Sequence, residues 1–109
     1  MCDTQTLAYT ADGYIIRCTE CSRMQMAFGP VAIIINKKQF YELKERAGIE
    51  MSYRSACIMD PDLKSVSMPI NATTMLCLSA NELLSLTDLL DQATALMEVY
   101  EMLDIEEQN

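Results

Sequence analysis

The chain has no histidine and no tryptophan, and it carries only three glycines among its 109 residues. Histidine is the side chain that most often acts as a general base near neutral pH, so its absence removes serine–histidine and cysteine–histidine nucleophile pairs. The sequence also lacks a glycine-rich phosphate loop, a serine-centred nucleophile elbow and paired carboxylates on an apolar face. These absences favour a noncatalytic protein over an enzyme, although an uncommon chemistry stays open.

Long apolar runs and export signals are missing as well. No stretch approaches the roughly 18 uninterrupted apolar residues of a membrane span. The N-terminus has no basic segment followed by an apolar run and a small-residue cleavage site. We therefore expect a cytoplasmic protein without a membrane partner. Its five cysteines are an odd number, so reduced thiols are expected rather than a disulfide framework.

Basic residues are absent from the C-terminal part of the chain. All eight lie at or before Lys64, where eight acidic residues balance them, and from Ser65 onward there are eight carboxylates and no base. The net charge of -8 therefore belongs to the later part. Such a surface repels phosphate backbones, which argues against nucleic acid as a partner. A solvated helix that keeps the protein soluble accounts for the same pattern.

The length and the first turn signal indicate how the chain begins to fold. A chain of 109 residues, half of them hydrophobic, fills one core, so residues 1–109 are predicted to form a single domain. Asp12-Gly13 is typical of a two-residue hairpin turn, because this dipeptide tolerates positive backbone angles. In that register Leu7 faces Cys18.

The remainder of the first half, residues 1–48, is predicted to contain two more strands and a helix. Apolar residues alternate with others from Arg23 to Phe28, and Val31–Ile35 is continuously apolar, as in a fully buried strand. Asn36 is typical of a helix cap, and Gly48 is typical of a helix stop about a dozen residues later.

The second half, residues 49–109, shows a similar order of elements. Strands are predicted at Tyr53–Met59, Ser65–Ile70 and Thr73–Leu78. Ser79-Ala80-Asn81-Glu82 is a capping box that predicts a helix from Ala80 to about Leu103.

The two halves also resemble each other in sequence. Residues 33–40 align with residues 76–83 at an offset of 43 residues, and strand, cap and helix start recur in both. An internal duplication and convergent helix-start chemistry both explain this. We predict an α+β fold, in which two related meander-plus-helix halves form an antiparallel sheet of about six or seven strands. Two helices pack on that sheet, and the C-terminal helix is the longest.

The pair Cys18 and Cys21 between two predicted strands has three interpretations. In a zinc knuckle, two thiolates from one tight turn bind the same ion, and Cys2 at the start of the first strand reaches the pair as a third ligand. Such a site needs Asp3, water or a second subunit to close it. In a thiol-redox protein, nearby arginines stabilise a thiolate at Cys18 or Cys21. In the third interpretation both are small residues at an ordinary turn.

The predicted C-terminal helix has a wide apolar face that includes Leu86, Ala93 and Tyr100. A helix that covers one sheet needs an apolar stripe of about 100°, so the excess is buried either against the first helix or against another protein surface. This face predicts a protein partner or a homodimer formed through Leu86, Ala93 and Tyr100. The carboxylates of the helix fall on the opposite, solvated face.

Several features of the first 48 residues occur in a distinctive order. They are Tyr14 with Ile15, the Cys18 and Cys21 pair, a strand that ends in Ala27-Phe28-Gly29, and Phe40 on the following helix. In this order they resemble a family of short uncharacterised bacterial proteins. That family has no established activity, substrate or cofactor, so the resemblance implies a free-standing bacterial domain and adds no catalytic residue.

The resulting functional hypothesis is a noncatalytic interaction or structural domain. Its candidate metal ligands are Cys2, Cys18 and Cys21, with zinc as the candidate ion and no other cofactor expected. The alternative is a thiol-redox protein that uses Cys18 and Cys21.

Overall fold

The structure, a computed structural model, describes residues 3–21, 23–54 and 62–108, with side chains described to residue 52 in the first helix and to residue 103 in the last. It has the predicted α+β fold, and the C-terminal helix is the longest element, as predicted. The elements are β1 (Thr4–Thr10), β2 (Gly13–Cys18), β3 (Arg23–Phe28), β4 (Val31–Asn36), α1 (Lys37–Arg54), β5 (Val66–Pro69), β6 (Met75–Leu78) and α2 (Ala80–Gln108).

The six strands of the described ranges form two antiparallel sheets instead of one. Strands β1 to β4 form a meander in sequence order, and β5 pairs with β6. The chain divides into two compact units, one of residues 1–37 and 88–109 and the other of residues 38–87. The first unit holds the four-stranded sheet and most of α2. The second holds most of α1, the two-stranded sheet and the first two turns of α2.

One face of the four-stranded sheet is buried and the other is exposed. Met24, Met26 and Phe28 on β3 are buried, which confirms the predicted alternation. Strand β4, predicted to be fully buried, also alternates, because Ile35 is buried while Ile34 is 68% exposed. An antiparallel sheet that is covered on one side only gives this pattern.

The first hairpin is correctly predicted, but its register and turn are not. Thr10 pairs with Gly13, so the turn residues are Ala11 and Asp12, and Cys18 pairs with Thr4 rather than facing Leu7. A β-bulge between Thr6 and Ala8 shifts the pairing by a further residue.

Gly13 of the Asp12-Gly13 pair has a different structural role from the turn role that was predicted. Gly29 has a positive φ of 56°, whereas Gly13 does not. A Cβ at Gly13 would overlap the carbonyl oxygen of Ala27 and lie 3.0 Å from the Cα of Phe28. Gly13 therefore allows β3 to approach β2 closely.

Helix α1 begins directly after Asn36, as predicted, but it continues past Gly48 to Arg54. Gly48 does not have the left-handed conformation of a helix stop. A glycine inside a helix costs only about 1 kcal/mol relative to alanine, so the helix continues when local contacts support it. An i,i+4 pair between Arg46 and Glu50 spans the glycine, with 3.5 Å between Nε and Oε1. The predicted strand Tyr53–Met59 is therefore wrong at its first two residues, and its remainder lies outside the described residues.

The start of α2 is the capping box predicted from the sequence. The backbone N–H of Ser79 donates to Oε1 of Glu82 at 2.9 Å, and the N–H of Glu82 donates to Oγ of Ser79 at 3.1 Å. Lys64 pairs with the same Glu82 carboxylate. The buried side chains of α2 confirm the predicted apolar stripe, and its carboxylates Asp88, Asp91, Glu98 and Glu101 are exposed. No helix in the described part of the chain is long and apolar enough to cross a membrane.

Replacement of Gly13 tests the close approach of β3 to β2. Because the new Cβ would meet backbone atoms of Ala27, Gly13→Ala should lower the free energy of unfolding by about 1–3 kcal/mol. The matched control is Gly48→Ala, where a Cβ meets nothing within 4 Å and the helix should gain about 0.5–1 kcal/mol. Urea denaturation of both variants measures the difference. Equal stabilities would contradict the assigned role of Gly13.

Candidate functional site

The two cysteines singled out in the sequence lie at the connection between β2 and β3. Cys18 is the last residue of β2, and Cys21 is in the bend before β3. This tip is tied to the start of β1, because the backbone N–H of Thr19 donates to the carbonyl oxygen of Asp3 at 2.9 Å. The Thr19 hydroxyl donates to the same oxygen at 3.2 Å. The tip is therefore held in place by the strand that precedes it.

The cysteines of the described residues differ in state. Cys21 is exposed and is not in a disulfide, whereas Cys18 is disulfide-bonded, which departs from the expectation of reduced thiols. Cys77 is an exposed free thiol on β6. It belongs to the other unit. Cys77 aligns with Ile34 at the offset of 43 residues, and both side chains are exposed. The alignment of the two halves therefore matches two strand residues that have the same exposure.

The proposed metal ligands are only partly covered by the structure. Cys2 and Cys57 lie outside the described residues. Among the residues that are described, no group of three or more cysteine, aspartate or glutamate side chains is placed to hold a metal ion. The described part of the tip thus supplies two candidate ligands, Cys18 and Cys21.

A cleft of about 370 Å³ opens beside this tip, entirely within the first unit. It lies between the end of the hairpin, the start of α1 and the later part of α2. Its lining combines two cations, three polar or thiol-bearing groups of the tip, an amide and a mostly apolar floor: Gln5, Arg17, Cys18, Thr19, Cys21, Met24, Lys37, Met97 and Tyr100. Sequence analysis identified the cysteine pair but not this cleft.

Arg17 is the best-positioned polar group in the cleft. Its Nε donates to Oε1 of Gln5 on the neighbouring strand at 2.8 Å. Its guanidinium carbon lies 5.3 Å from the centroid of the Tyr100 ring on α2, a cation–π geometry. One contact comes from the sheet and the other from the helix, so the guanidinium is held from two sides.

Lys37 pairs with Glu101 at the same end of the cleft. The hydrogen bond from Lys37, its charge and the charge of Arg17 lower the pKa of the Glu101 carboxyl from its ordinary value of 4.5. Both side chains are about half exposed. Solvent therefore screens the pair, and it contributes little to stability.

Sequence reasoning missed Gln5, Lys37 and Tyr100 as members of one site. Gln5 pairs with Arg17 only in the bulged register, which the Asp12-Gly13 signal does not predict. Tyr100 was assigned to the apolar stripe of α2. One signal could have identified them. Arg17 lies two residues after Ile15 on β2, so both side chains share one face of the sheet, and Ile15 is buried. An unpaired cation on a buried face is costly, so Arg17 needs polar or aromatic partners there.

The residues predicted to form a protein contact on α2 have different environments. Leu86 and Ala93 are fully buried within a single chain, and Tyr100 is partly exposed. Among the side chains of α2 described up to residue 103, the exposed large apolar ones are instead Leu84, Val99, Met102 and Leu103. Leu86 and Ala93 are thus already used in the core of the chain.

Comparison with known proteins defines the family. The model of DUF6686, a family of unknown function, matches residues 1–109, and the chain belongs to this family. This agrees with the resemblance seen in the first 48 residues and extends it to the whole chain. No curated protein and no solved structure matches the chain.

The pairing of Lys37 with Glu101 predicts a measurable pKa. Because the folded-state pKa of Glu101 is lowered, its contribution to stability is present above pH 4.5 and is lost as the pH falls through the folded-state pKa. A carbon-detected NMR titration should give a value below 4.5 in the wild type, and Lys37→Gln should return it toward 4.5.

Lys38 provides the matched control for this titration. It follows Lys37 in the chain and makes no ion pair within the described residues. Lys38→Gln should leave the Glu101 pKa unchanged. If both substitutions raise it equally, general charge rather than the specific pair lowers the pKa.

Proposed function

We propose that this member of DUF6686 is a noncatalytic interaction or structural domain of the bacterial cytoplasm. We further propose that it binds a ligand at the tip formed by the connection between β2 and β3. The observation that carries the proposal is the cleft of about 370 Å³ beside Cys18 and Cys21. Its volume lies within the range of roughly 300–1,000 Å³ that is usual for small-molecule sites. An apolar floor with a few convergent polar groups is also usual for such sites.

Zinc is the proposed metal at the tip, with Cys2, Cys18 and Cys21 as its ligands. Two observations support this assignment. Cys18 and Cys21 come from one short connection between antiparallel strands, as in a zinc knuckle. Both also line the same cleft. The Cys18 disulfide must be reduced before its thiolate binds an ion, and Asp3, a water or a second chain supplies the fourth ligand.

The zinc proposal predicts a metal content. The full chain, purified under reducing conditions without chelator, should contain about one zinc ion per chain or per dimer by mass spectrometry of the metal. Cys18→Ser and Cys21→Ser should each lose the metal. Cys77→Ser is the control and should retain it, because Cys77 lies on β6 in the other unit. Wild-type protein without metal would overturn the proposal.

A thiol-redox function is the second candidate, and the disulfide at Cys18 favours it. Cys21, in the same tip, is exposed and is not in a disulfide. In thiol–disulfide exchange the Cys21 thiolate attacks Sγ of Cys18, a Cys18–Cys21 disulfide forms, and the former partner leaves as a thiolate. The proton lost by Cys21 passes to solvent or to the leaving thiolate, and no external oxidant is needed.

The redox candidate predicts unequal alkylation. Cys21 and Cys77 are both exposed and outside a disulfide, so exposure alone does not separate them. If the tip activates its thiol, Cys21 should react with iodoacetamide about tenfold faster or more than Cys77 near neutral pH, because the thiolate is the reacting species. Peptide mapping by mass spectrometry measures both rates. Equal rates at the two sites would remove the redox candidate.

A further inference from the structure

The guanidinium of Arg17 is the starting point, because its hydrogen-bonding capacity is only partly used. An arginine has five N–H donors in a planar fork. Nε of Arg17 donates to Gln5. Within the described residues, its two terminal nitrogens make no hydrogen bond. A half-buried cation with an open fork that lines a cleft is suited to a ligand with two acceptor oxygens.

Arg17 is also oriented in advance. Gln5 fixes Nε from the adjacent strand, and the ring of Tyr100 fixes the guanidinium from α2. Groups that are held in their binding geometry lose less conformational entropy when a ligand arrives, so the affinity per contact is higher. A carboxylate matches the planar fork with two parallel hydrogen bonds, whereas a lysine would offer only a point charge.

The charge around the cleft selects a monoanion. Lys37, the other cation of its lining, is already paired with Glu101. Arg17 forms no ion pair with a described carboxylate, and its charge acts on Glu101 only as a longer-range interaction. Glu98 and Glu101 are exposed on the nearby part of α2, and they disfavour a doubly charged ligand. A monocarboxylate satisfies Arg17 without adding the second negative charge of a phosphate monoester.

The floor of the cleft indicates what the carboxylate is attached to. Met24 and Met97 are buried beneath it, and Tyr100 forms one side. Methionine side chains adapt their shape and pack well against aromatic and aliphatic groups. We propose that the cleft binds a small organic monocarboxylate, with its carboxylate on the Arg17 fork and its apolar body against Met24 and Met97. This inference rests on the proposed function only in treating the tip as a binding site, and it needs no metal.

The test uses three probes that share a phenyl ring: 3-phenylpropionate, its neutral amide 3-phenylpropanamide, and phenyl phosphate. Each is titrated into the reduced full chain and followed by ¹H–¹⁵N NMR. The carboxylate should give saturable shifts at Arg17 and Tyr100, with a Kd on the order of millimolar for a fragment of this size. The amide should give none, and phenyl phosphate should bind more weakly than the carboxylate.

Variants separate the fork from simple charge. Arg17→Gln should weaken carboxylate binding about ten- to hundredfold, because it removes charged hydrogen bonds. Arg17→Lys keeps the charge but loses the fork and should bind with intermediate affinity. Arg23→Gln is the matched control, since Arg23 is exposed at the start of β3 and does not line the cleft. It should bind as the wild type does.

Four outcomes would overturn the inference. They are equal binding of acid and amide, unchanged affinity in Arg17→Gln, tighter binding of phenyl phosphate, and shifts that do not saturate. The zinc content of the same samples is also measured, so that the zinc proposal and the carboxylate proposal are tested separately. Carboxylate binding without zinc refutes only the metal site. Zinc without carboxylate binding refutes only the Arg17 ligand, and a chain with neither loses both.

Discussion

The cleft depends on one constraint, which is the burial of the later part of α2 in the unit that contains the four-stranded sheet. Leu89, Leu90, Ala93 and Met97 on that part of the helix are at most 1% exposed. Complete burial of one leucine or methionine contributes about 1.5–3 kcal/mol, whereas an exposed ion pair contributes about 0–1 kcal/mol. The apolar stripe therefore decides where the helix lies. Tyr100 and Glu101, one turn further on, meet Arg17 and Lys37 as a consequence.

The separation of charge along the sequence acquires a structural meaning from this arrangement. All basic residues lie at or before Lys64, and the surplus carboxylates follow it. Each compact unit nevertheless contains an ion pair between a basic residue and one of these later carboxylates. Lys37 meets Glu101 in the first unit, and Lys64 meets Glu82 in the second. Each pair joins one part of α2 to a basic residue from the earlier part of the sequence. Asp88, Asp91 and Glu98 on α2 are exposed, and the sequence places the surplus carboxylates on that helix.

Features that depend on local chemistry could be predicted from the sequence. The Ser79–Glu82 capping box and the alternation of β3 need only neighbouring residues, and both were predicted correctly. Features that depend on contacts between distant segments were not. The predicted stop at Gly48 was also wrong although its signal is local, because the helix continues to Arg54 and the i,i+4 pair Arg46–Glu50 spans the glycine. Gly13 follows aspartate as a turn glycine would, but a strand that arrives later in the chain requires it.

The same distinction explains why the sequence indicated the cysteine pair but not the site around it. A CxxC spacing is a local signal. The partnership of Gln5, Arg17 and Tyr100 needs a bulge in β1 and a helix more than eighty residues away. Arg17 and Cys18 are nevertheless consecutive in β2, so the backbone that positions the guanidinium also positions the thiol. The cysteine of the CxxC pair and the guanidinium of the cleft therefore belong to the same strand end.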